Sequence, residues 1–272
     1  MGDGYEGVLY GYHRSGSLRR IQAMHGSTEM TLTLQKSALD SNGWPHKLDA
    51  GRATLLAAMQ PEMRVFPVKT QIPREGRWRS KVYRIVSGCA VRRLNCSDGR
   101  NQIVSMLFPN DLFGLSEIFS EPTGLVETRD TVSVTSIDHA SVLSLAARDI
   151  NVAMWLLNYI NEHSSSSDRW SMILARGNAL EKVAMLLLDL YKRLMGAAPA
   201  GQQPIRVPIT QQDIADFTGL ASPYISRTLA LLRARGSINV FYGAIEIVDP
   251  KVLMVSAPVM ADFWVGDFAE TT

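Results

Sequence analysis

The segment PITQQDIADFTGLASPYISRTLALLRARG, residues 208–236, places polar and basic side chains at the start of a short helix. Pro223, Ser226 and Arg227 lie on the face of that helix opposite its apolar positions. A polar and basic edge at the N-terminal end of a second short helix is the feature that enters the major groove in helix-turn-helix proteins. The segment therefore indicates recognition of DNA.

Local signals position this edge within a pair of helices. Thr210 with Asp213 predicts a capping box at the first helix, and Gly219 permits a tight turn after it. Ser222 followed by Pro223 predicts the N-cap and first turn of the second helix. We expect an inward-facing apolar set, made up of Ile214, Phe217, Ile225, Leu229 and Leu232.

The next residues, SINVFYGAIEIVD, predict two strands around Tyr242 and Gly243, which would form a wing beside the helices. An ordinary pair of helices inside a protein core is the alternative. A core would have little use for Arg227, so we favour the winged helix-turn-helix.

Composition limits the other classes of function. The 272 residues suffice for about two domains, are 46% hydrophobic and carry a formal net charge of +2, which is too small to name a partner. The two cysteines, Cys89 and Cys96, lack the spacing of a metal site or a disulfide scaffold. No apolar run approaches a membrane span and no leader is evident, so we expect a cytoplasmic protein without membrane contact.

The pattern of apolar and polar residues divides the chain into distinct segments. Residues 1–46 are polar and aperiodic, which predicts an N-terminal extension, whereas LDAGRATLLAAM predicts a helix. Short alternating segments then predict a β-roll over 47–147: VYRIVSGCAVRRL, NQIVSMLF, TVSVTSI and ASVLSL, with a hairpin turn at SDG (97–99). The fold class is therefore predicted as α+β.

From residue 148 the period becomes helical, and Gly177 ends the pattern. Packing of its apolar stripe on the chain's own β domain is one interpretation, and pairing with a second subunit is the other. We favour a dimerisation helix over 148–177, with the contact residues Val152, Leu156, Tyr159, Ile160, His163, Trp170 and Ile173. Asn178 and Glu181 predict the cap of the next helix, which opens a DNA-binding domain over 178–250, followed by a tail over 251–272.

The chain resembles the Crp/Fnr family of bacterial transcription regulators over roughly residues 48 to 250. The specific matches are ITQQDIADFTGL and ISRTLALLRARG, while SGCAVRR, DGRNQI and NDLFGL match more loosely. The resemblance implies a cyclic-nucleotide-binding-like β-roll, a long dimerisation helix and a C-terminal winged helix-turn-helix. It also implies a homodimer that binds a near-palindromic promoter site, with RNA polymerase as a further partner.

The resemblance assigns roles to particular residues. Phosphate contacts would fall on Thr210 and Gln212, whose hydroxyl and amide can donate to phosphate. Base-reading positions would fall on Ser222, Pro223 and Arg227, and the Arg guanidinium can bind guanine bidentately. The full expected DNA-binding set is Thr210, Gln212, Ser222, Pro223, Tyr224, Ser226 and Arg227. Because Pro223 has no polar side-chain atom where many members carry Glu, we expect a different target sequence.

The residues at the family's nucleotide-binding positions also differ from those of nucleotide-binding members. Leu115 follows Gly114 where nucleotide-binding members carry Glu, and Asp130 would repel a phosphate. The candidate effector pocket consists of Leu115, Arg129, Thr131, Ser167 and Asp168, with an unknown effector that is neither cyclic AMP nor cyclic GMP.

We predict no metal and no cofactor. Two cysteines cannot hold the four-cysteine iron–sulfur cluster of the family's oxygen sensors. A haem on His139 or His163 is disfavoured because a lone histidine on a packed face is usually structural. A redox switch of Cys89 and Cys96 remains the alternative to two unreactive thiols.

An enzyme and a module for protein contacts are the two other classes of function to consider. No phosphate-cradling glycine loop, HExxH motif or nucleophile elbow supports an enzyme. An effector-sensing module whose winged helix contacts proteins is the alternative to a DNA-binding regulator. DNA binding through phosphates must weaken steeply with added salt, so a gel shift with a salt titration distinguishes the two.

Overall fold

The structure, a computed structural model, has the α+β architecture that the sequence predicts: a β-roll, a long helix and a winged helix-turn-helix. It describes residues 10–12, 18–20, 44–59, 63–73, 79–121, 124–195 and 204–258. Within the predicted extension, strands β1 (Tyr10–Tyr12) and β2 (Leu18–Arg20) pair antiparallel. The rest of that predicted segment, up to residue 43, lies outside the described residues.

Two antiparallel sheets form the β-roll. The first has the order β3-β9-β4-β7 and the second the order β6-β5-β8. Their strands are β3 (Arg64–Phe66), β4 (Lys81–Ser87), β5 (Ala90–Asn95), β6 (Asn101–Leu107), β7 (Leu112–Phe113), β8 (Leu125–Thr128) and β9 (Val132–Asp138). The predicted turn at residues 97–99 joins β5 to β6. Between the facing sheets, Tyr83 stacks on Phe113 with ring centroids 4.9 Å apart.

Three helices flank the first sheet: α1 (Trp44–Ala58), α2 (His139–Arg148) and α3 (Ile150–Arg176). The Asp149 side chain accepts a hydrogen bond from the Asn151 amide and so caps α3. At Gly51, α1 approaches α3 so closely that a Cβ would lie 2.1 Å from the Asn151 carbonyl oxygen. Any larger residue at Gly51 would push the two helices apart.

Helix α4 (Ala179–Met195) joins the β-roll to the C-terminal domain. Its predicted cap is present, because Asn178 and Glu181 exchange hydrogen bonds between backbone and side chain. At its other end, Arg193 pairs with Asp111 of the β6–β7 turn, and its guanidinium lies 5.0 Å from the centre of the Phe108 ring. These contacts attach α4 directly to the sheets of the β-roll.

The C-terminal domain contains a three-stranded sheet, β10-β12-β11, beside the helix pair α5 (Gln211–Thr218) and α6 (Ser222–Ala234). Its strands are β10 (Ile205–Val207), β11 (Ile238–Phe241) and β12 (Ala244–Ile247). The five predicted inward-facing residues are all buried. Gly219, between α5 and α6, has φ +69°, in the left-handed region that favours glycine.

Several details differ from the sequence-based expectations. Residues 140–145, predicted as a strand, lie within α2, where Val142 is buried at helical spacing from partly buried Leu145 and Ala146. Ala221, not Ser222, is the N-cap of α6. Helix α7 (Pro250–Ser256) packs on α4, so the C-terminal domain continues past residue 250.

No single helix in the described part of the chain is long and apolar enough to cross a membrane. Together, α2 and α3 pass that test by length and composition, but they are bent by 119° at their junction.

Candidate nucleic-acid interface

The start of α5 is held by the capping box that the sequence predicts. Thr210 Oγ1 accepts a hydrogen bond from the Asp213 amide (3.1 Å) and donates to Asp213 Oδ2 (2.8 Å). Asp213 Oδ2 also accepts from the Thr210 amide (2.9 Å). Because the hydroxyl proton of Thr210 is already donated to a carboxylate, it is not available to a phosphate in this conformation.

Gln212, the other expected phosphate contact, keeps a free donor. Its Nε2 donates to Asp216 Oδ1 at 2.6 Å, one turn along α5, and the side chain is exposed. An amide nitrogen carries two hydrogens, so the second can still reach a phosphate. The structure therefore favours Gln212 over Thr210 as the donor at the start of α5.

The leading edge of α6 is exposed as predicted. Ser222, Pro223, Tyr224, Ser226 and Arg227 are all exposed, while Ile225, Thr228 and Leu229 are buried on the opposite face. Arg227 lies with its guanidinium carbon 4.9 Å from the Tyr224 ring centre, and its Nε donates to the Pro223 carbonyl at 3.2 Å. These two contacts orient the guanidinium along the N-terminal half of the helix while leaving its other donors free.

The wing presents a second exposed edge. Tyr242, at the turn between β11 and β12, is fully exposed, and Arg206 of β10 lies over the Phe241 ring at 4.6 Å. Aromatic and basic groups at a wing tip suit contact with a sugar–phosphate backbone.

A polar interface joins the β-roll to the opposite face of α5. Arg129 donates to Asp213 Oδ1 (2.7 and 2.8 Å) and also pairs with Glu127. Burial disfavours the charge of Arg129, but the carboxylates of Asp213 and Glu127 outweigh it and raise the pKa of Arg129.

Two β-strand residues extend this interface. Arg93 Nη1 donates to Asp216 Oδ2 at 2.7 Å, and Gln102 Nε2 donates to the Phe217 carbonyl at 2.6 Å. Beside them, a cleft of about 370 Å³ separates Asn101 and Gln102 from Gln212, Asp216 and Ser222. These contacts between domains are not predicted from the sequence. The acidic pair three residues apart on α5, Asp213 and Asp216, was the one signal that could have indicated them.

The helical stripe predicted for dimerisation packs largely within the chain. Val152, Leu156 and Tyr159 pack on the β-roll, and the Tyr159 hydroxyl bonds both the amide (2.7 Å) and the carbonyl (3.1 Å) of Leu112. His163 lies against the Tyr159 ring, 4.5 Å between centroids. This differs from our expectation because the β-roll covers the stripe at its N-terminal end.

At the C-terminal end of the stripe, Trp170 and Ile173 join the core of the C-terminal domain, with Trp170 edge-on to Phe217 at 4.7 Å. Of the predicted contact residues, Ile160 alone presents a large apolar side chain to solvent, at 54% exposure.

The candidate effector residues are not brought together. Leu115 packs into the core between the β-roll and α1, and Arg129 is engaged by α5. Thr131 is exposed, as are Ser167 and Asp168 on α3. Asp130 accepts a hydrogen bond from the Cys89 amide (2.6 Å), so it shapes the turn between β4 and β5. The predicted effector pocket is thus absent among the described residues in this conformation.

The two thiols are free and differ in environment. Cys89 is buried, and desolvation raises its pKa, which keeps the thiol protonated and unreactive; Cys96 is exposed beside the β5–β6 turn. Within the described ranges, no group of three or more His, Cys, Asp or Glu side chains could hold a metal ion.

Comparison with known proteins agrees with this geometry. The Crp-like helix-turn-helix domain family matches residues 181–255, which span α4 to α7. The nitrogen fixation regulation protein FixK of Bradyrhizobium diazoefficiens is 32% identical over 161 residues, which are 56% of this chain and 64% of FixK. The transcriptional activator protein FnrL of Cereibacter sphaeroides is 26% identical over 157 residues, 57% of this chain and 63% of FnrL. The chain thus spans slightly less than two thirds of these two relatives.

The solved structure of FixK2 from Bradyrhizobium japonicum superposes with a TM-score of 0.61 at 26% identity, covering 71% of this chain and 96% of FixK2. The chain is thus similar to regulators of the Crp/Fnr type in its fold and contains a Crp-like helix-turn-helix domain. The matched helix-turn-helix domain includes α5 and α6, and the exposed edge from Ser222 to Arg227 is directed away from the domain core.

Proposed function

We propose that the protein binds promoter DNA as a sequence-specific homodimeric transcription regulator, with α6 in the major groove. The exposed Arg227, oriented by Tyr224 and the Pro223 carbonyl, is the observation that carries this proposal. A guanidinium held at this position suits bidentate binding to guanine O6 and N7. Ser226 lies beside it, and Gln212 and Tyr242 supply contacts to the flanking backbone.

The exposed face of α3 supplies the dimer interface. Leu157 is 63% exposed and Ile160 54%, although the neighbouring Leu156 and Tyr159 pack on the β-roll. They belong to a seam whose members alternate by three and four residues: Ile150, Ala153, Leu157, Ile160, Ser164, Ser167 and Ser171. This is the spacing of an a/d coiled-coil seam, and small serines in its second half let two helices approach closely. The seam shares Ile160 with the stripe predicted from the sequence and otherwise uses different residues of α3.

A C2 dimer built on this seam presents two copies of α6. It would recognise a near-palindrome with half-site centres about 34–36 Å apart, one turn of DNA. We propose the cytoplasm as the site of action, RNA polymerase as the further partner and no enzymatic activity. The relatives, named as regulators, support this assignment.

Selection from a random duplex library with the full chain tests the proposal. We expect enrichment of a near-palindrome containing a guanine in each half-site, with affinity that falls steeply as salt rises. Failure to enrich any sequence, or binding that is insensitive to salt, would instead support the protein-contact module.

A further inference from the structure

The polar interface between the β-roll and α5 lies directly behind the proposed phosphate contact. Asp216 Oδ1 accepts from Gln212, and Asp216 Oδ2 accepts from Arg93 of β5. One carboxylate thus links a sensor-domain arginine to the side chain that is directed at DNA. The Asp216 side chain is 9% exposed and that of Arg93 is 18% exposed, so water screens the pair only weakly.

We propose that Arg93 is a positioning residue for DNA binding, which neutralises Asp216 across the domain interface and so lets Gln212 approach a DNA phosphate. The inference rests on the proposed DNA-binding function and names the sensor residue that supports it. Without Arg93, the carboxylate bonded to Gln212 would repel the phosphate that Gln212 is to bind. With Arg93 in place, the carboxylate fixes one amide hydrogen and leaves the other for DNA.

Two neighbouring contacts fix the position of Arg93. Its Nη1 also donates to Asn101 Oδ1 (2.8 Å) on β6, and Gln102 of the same strand holds the Phe217 carbonyl. On the preceding turn of α5, Arg129 pairs with Asp213, so both carboxylates of the helix face a guanidinium of the β-roll. The apolar part of the same interface, which includes Ile103, Trp170 and Phe217, lies in one continuous core. The β-roll therefore presents its arginines to α5 from a fixed surface.

This arrangement connects the β-roll, through Arg93 and Asp216, to the proposed phosphate contact at Gln212. A change in β5 or in the β8–β9 turn would move Arg93 or Arg129 relative to α5 and alter the charge beside Gln212. The connection needs no bound nucleotide, in keeping with the occupation of Arg129 by Asp213.

The test uses Arg93→Gln, Asp216→Asn and the double variant, with the duplex selected by the wild-type chain and a scrambled duplex of equal length. Arg93→Gln should weaken binding to the selected duplex about three- to tenfold at low salt, because one uncompensated charge then faces the phosphate. In the Arg93→Gln background, Asp216→Asn should restore affinity to within about twofold of the Asp216→Asn single variant, since the carboxylate nearest Arg93 is gone. Asp213, whose Oδ1 lies 3.8 Å from Arg93 Nη2, remains paired with Arg129 in both variants.

Arg100→Gln is the matched control. It removes an equal charge from the same β5–β6 hairpin, but Arg100 is 82% exposed and pairs with Asp98 inside the hairpin. Its effect should be smaller than that of Arg93→Gln and should not depend on Asp216. Tighter binding by Arg93→Gln would show that the interface inhibits DNA binding, which would overturn the inference. Unchanged binding by Arg93→Gln, or no rescue by Asp216→Asn, would also overturn it. If the wild-type chain selects no duplex, the proposed function itself fails.

Discussion

The guanidinium of Arg227 lies over the ring of Tyr224, 4.9 Å from its centre, on the exposed edge of α6. Both residues stand clear of the domain core, so the stack fixes a rotamer and adds little to folding. Arginine loses rotamer freedom when it binds a base, and a stacked arginine has already lost part of it. The pair is therefore suited to reading one base.

Arg227→Ala is expected to cost about 1–3 kcal/mol at the selected site and to abolish the preference for one base pair. Tyr224→Ala should weaken binding less, because the guanidinium remains but is no longer held. Binding of each variant to a panel of single-base substitutions in the selected duplex measures both effects. Arg233→Ala, at the exposed C-terminal end of α6, is the control. If Arg227→Ala retained the full base preference, another residue would have to read that position.

The dimer seam predicts a second outcome. Leu157→Asp with Ile160→Asp places two charges per chain into an apolar contact, where unpaired carboxylates are strongly unfavourable. We expect monomers by sedimentation and a collapse of affinity for the palindrome, with circular dichroism unchanged because both side chains are exposed within the chain. Lys182→Asp, on α4, provides a control for added negative charge. A persistent dimer would place the interface elsewhere.

Substitution of Trp170 is expected to affect the stability of the single chain rather than the formation of a dimer. Trp170 is 9% exposed and packs edge-on against Phe217, so it links α3 to α5 within one chain. Trp170→Ala should lower the free energy of unfolding by about 3–5 kcal/mol, the usual loss for a buried aromatic side chain. Ile150→Ala, at a position of α3 that is 70% exposed, should change it far less when both variants are made in the monomeric Leu157→Asp and Ile160→Asp background. Equal effects in urea unfolding would contradict the packing described here.

How much the sequence could predict depends on the separation of the interacting groups. The caps at Thr210 and Asn178 involve partners three residues apart, so local pattern suffices for them. The bonds of Arg93 to Asp216 and of Arg129 to Asp213 join residues 123 and 84 positions apart. A charged residue does not indicate which distant partner it will find.

The apolar stripe of α3 shows a second limit. The helical period of the apolar residues predicts that one face of the helix is buried. It does not indicate whether the same chain or a second subunit buries that face. The β-roll covers Val152 and Tyr159, whereas Leu157 and Ile160 remain exposed within the chain and form the proposed seam. The sequence predicts a strand over residues 140–145, but these residues lie in α2. A run of six residues is too short to distinguish the apolar spacing of a strand from that of a helix.

Asp189 on α4 predicts a dependence of stability on pH. Burial raises its pKa, against the opposing effects of Arg193, Lys192 and Arg169. A raised carboxyl pKa means that the folded chain holds the proton more tightly than the unfolded chain. The stability that this gives is complete below the unfolded pKa of about 3.9 and is lost as pH rises through the folded pKa.

Asp189→Asn should therefore gain stability relative to the wild type at about pH 7 compared with about pH 4. Urea unfolding over this range measures the difference, with the exposed Asp168→Asn as control. A difference that stays constant with pH would show that the Asp189 carboxyl does not carry this cost.

Cyclic nucleotides provide the last prediction. Leu115 lacks a carboxylate for ribose hydroxyls and packs into the core, while the guanidinium of Arg129 is already paired with Asp213 and Glu127. A nucleotide phosphate would have to displace two carboxylates from Arg129 and approach Asp130, which carries like charge. We expect calorimetry to show no binding of cyclic AMP or cyclic GMP at physiological concentrations, and the selected duplex to be bound without either. Micromolar binding of one nucleotide, accompanied by tighter DNA binding, would mean that Arg129 leaves Asp213 for the phosphate.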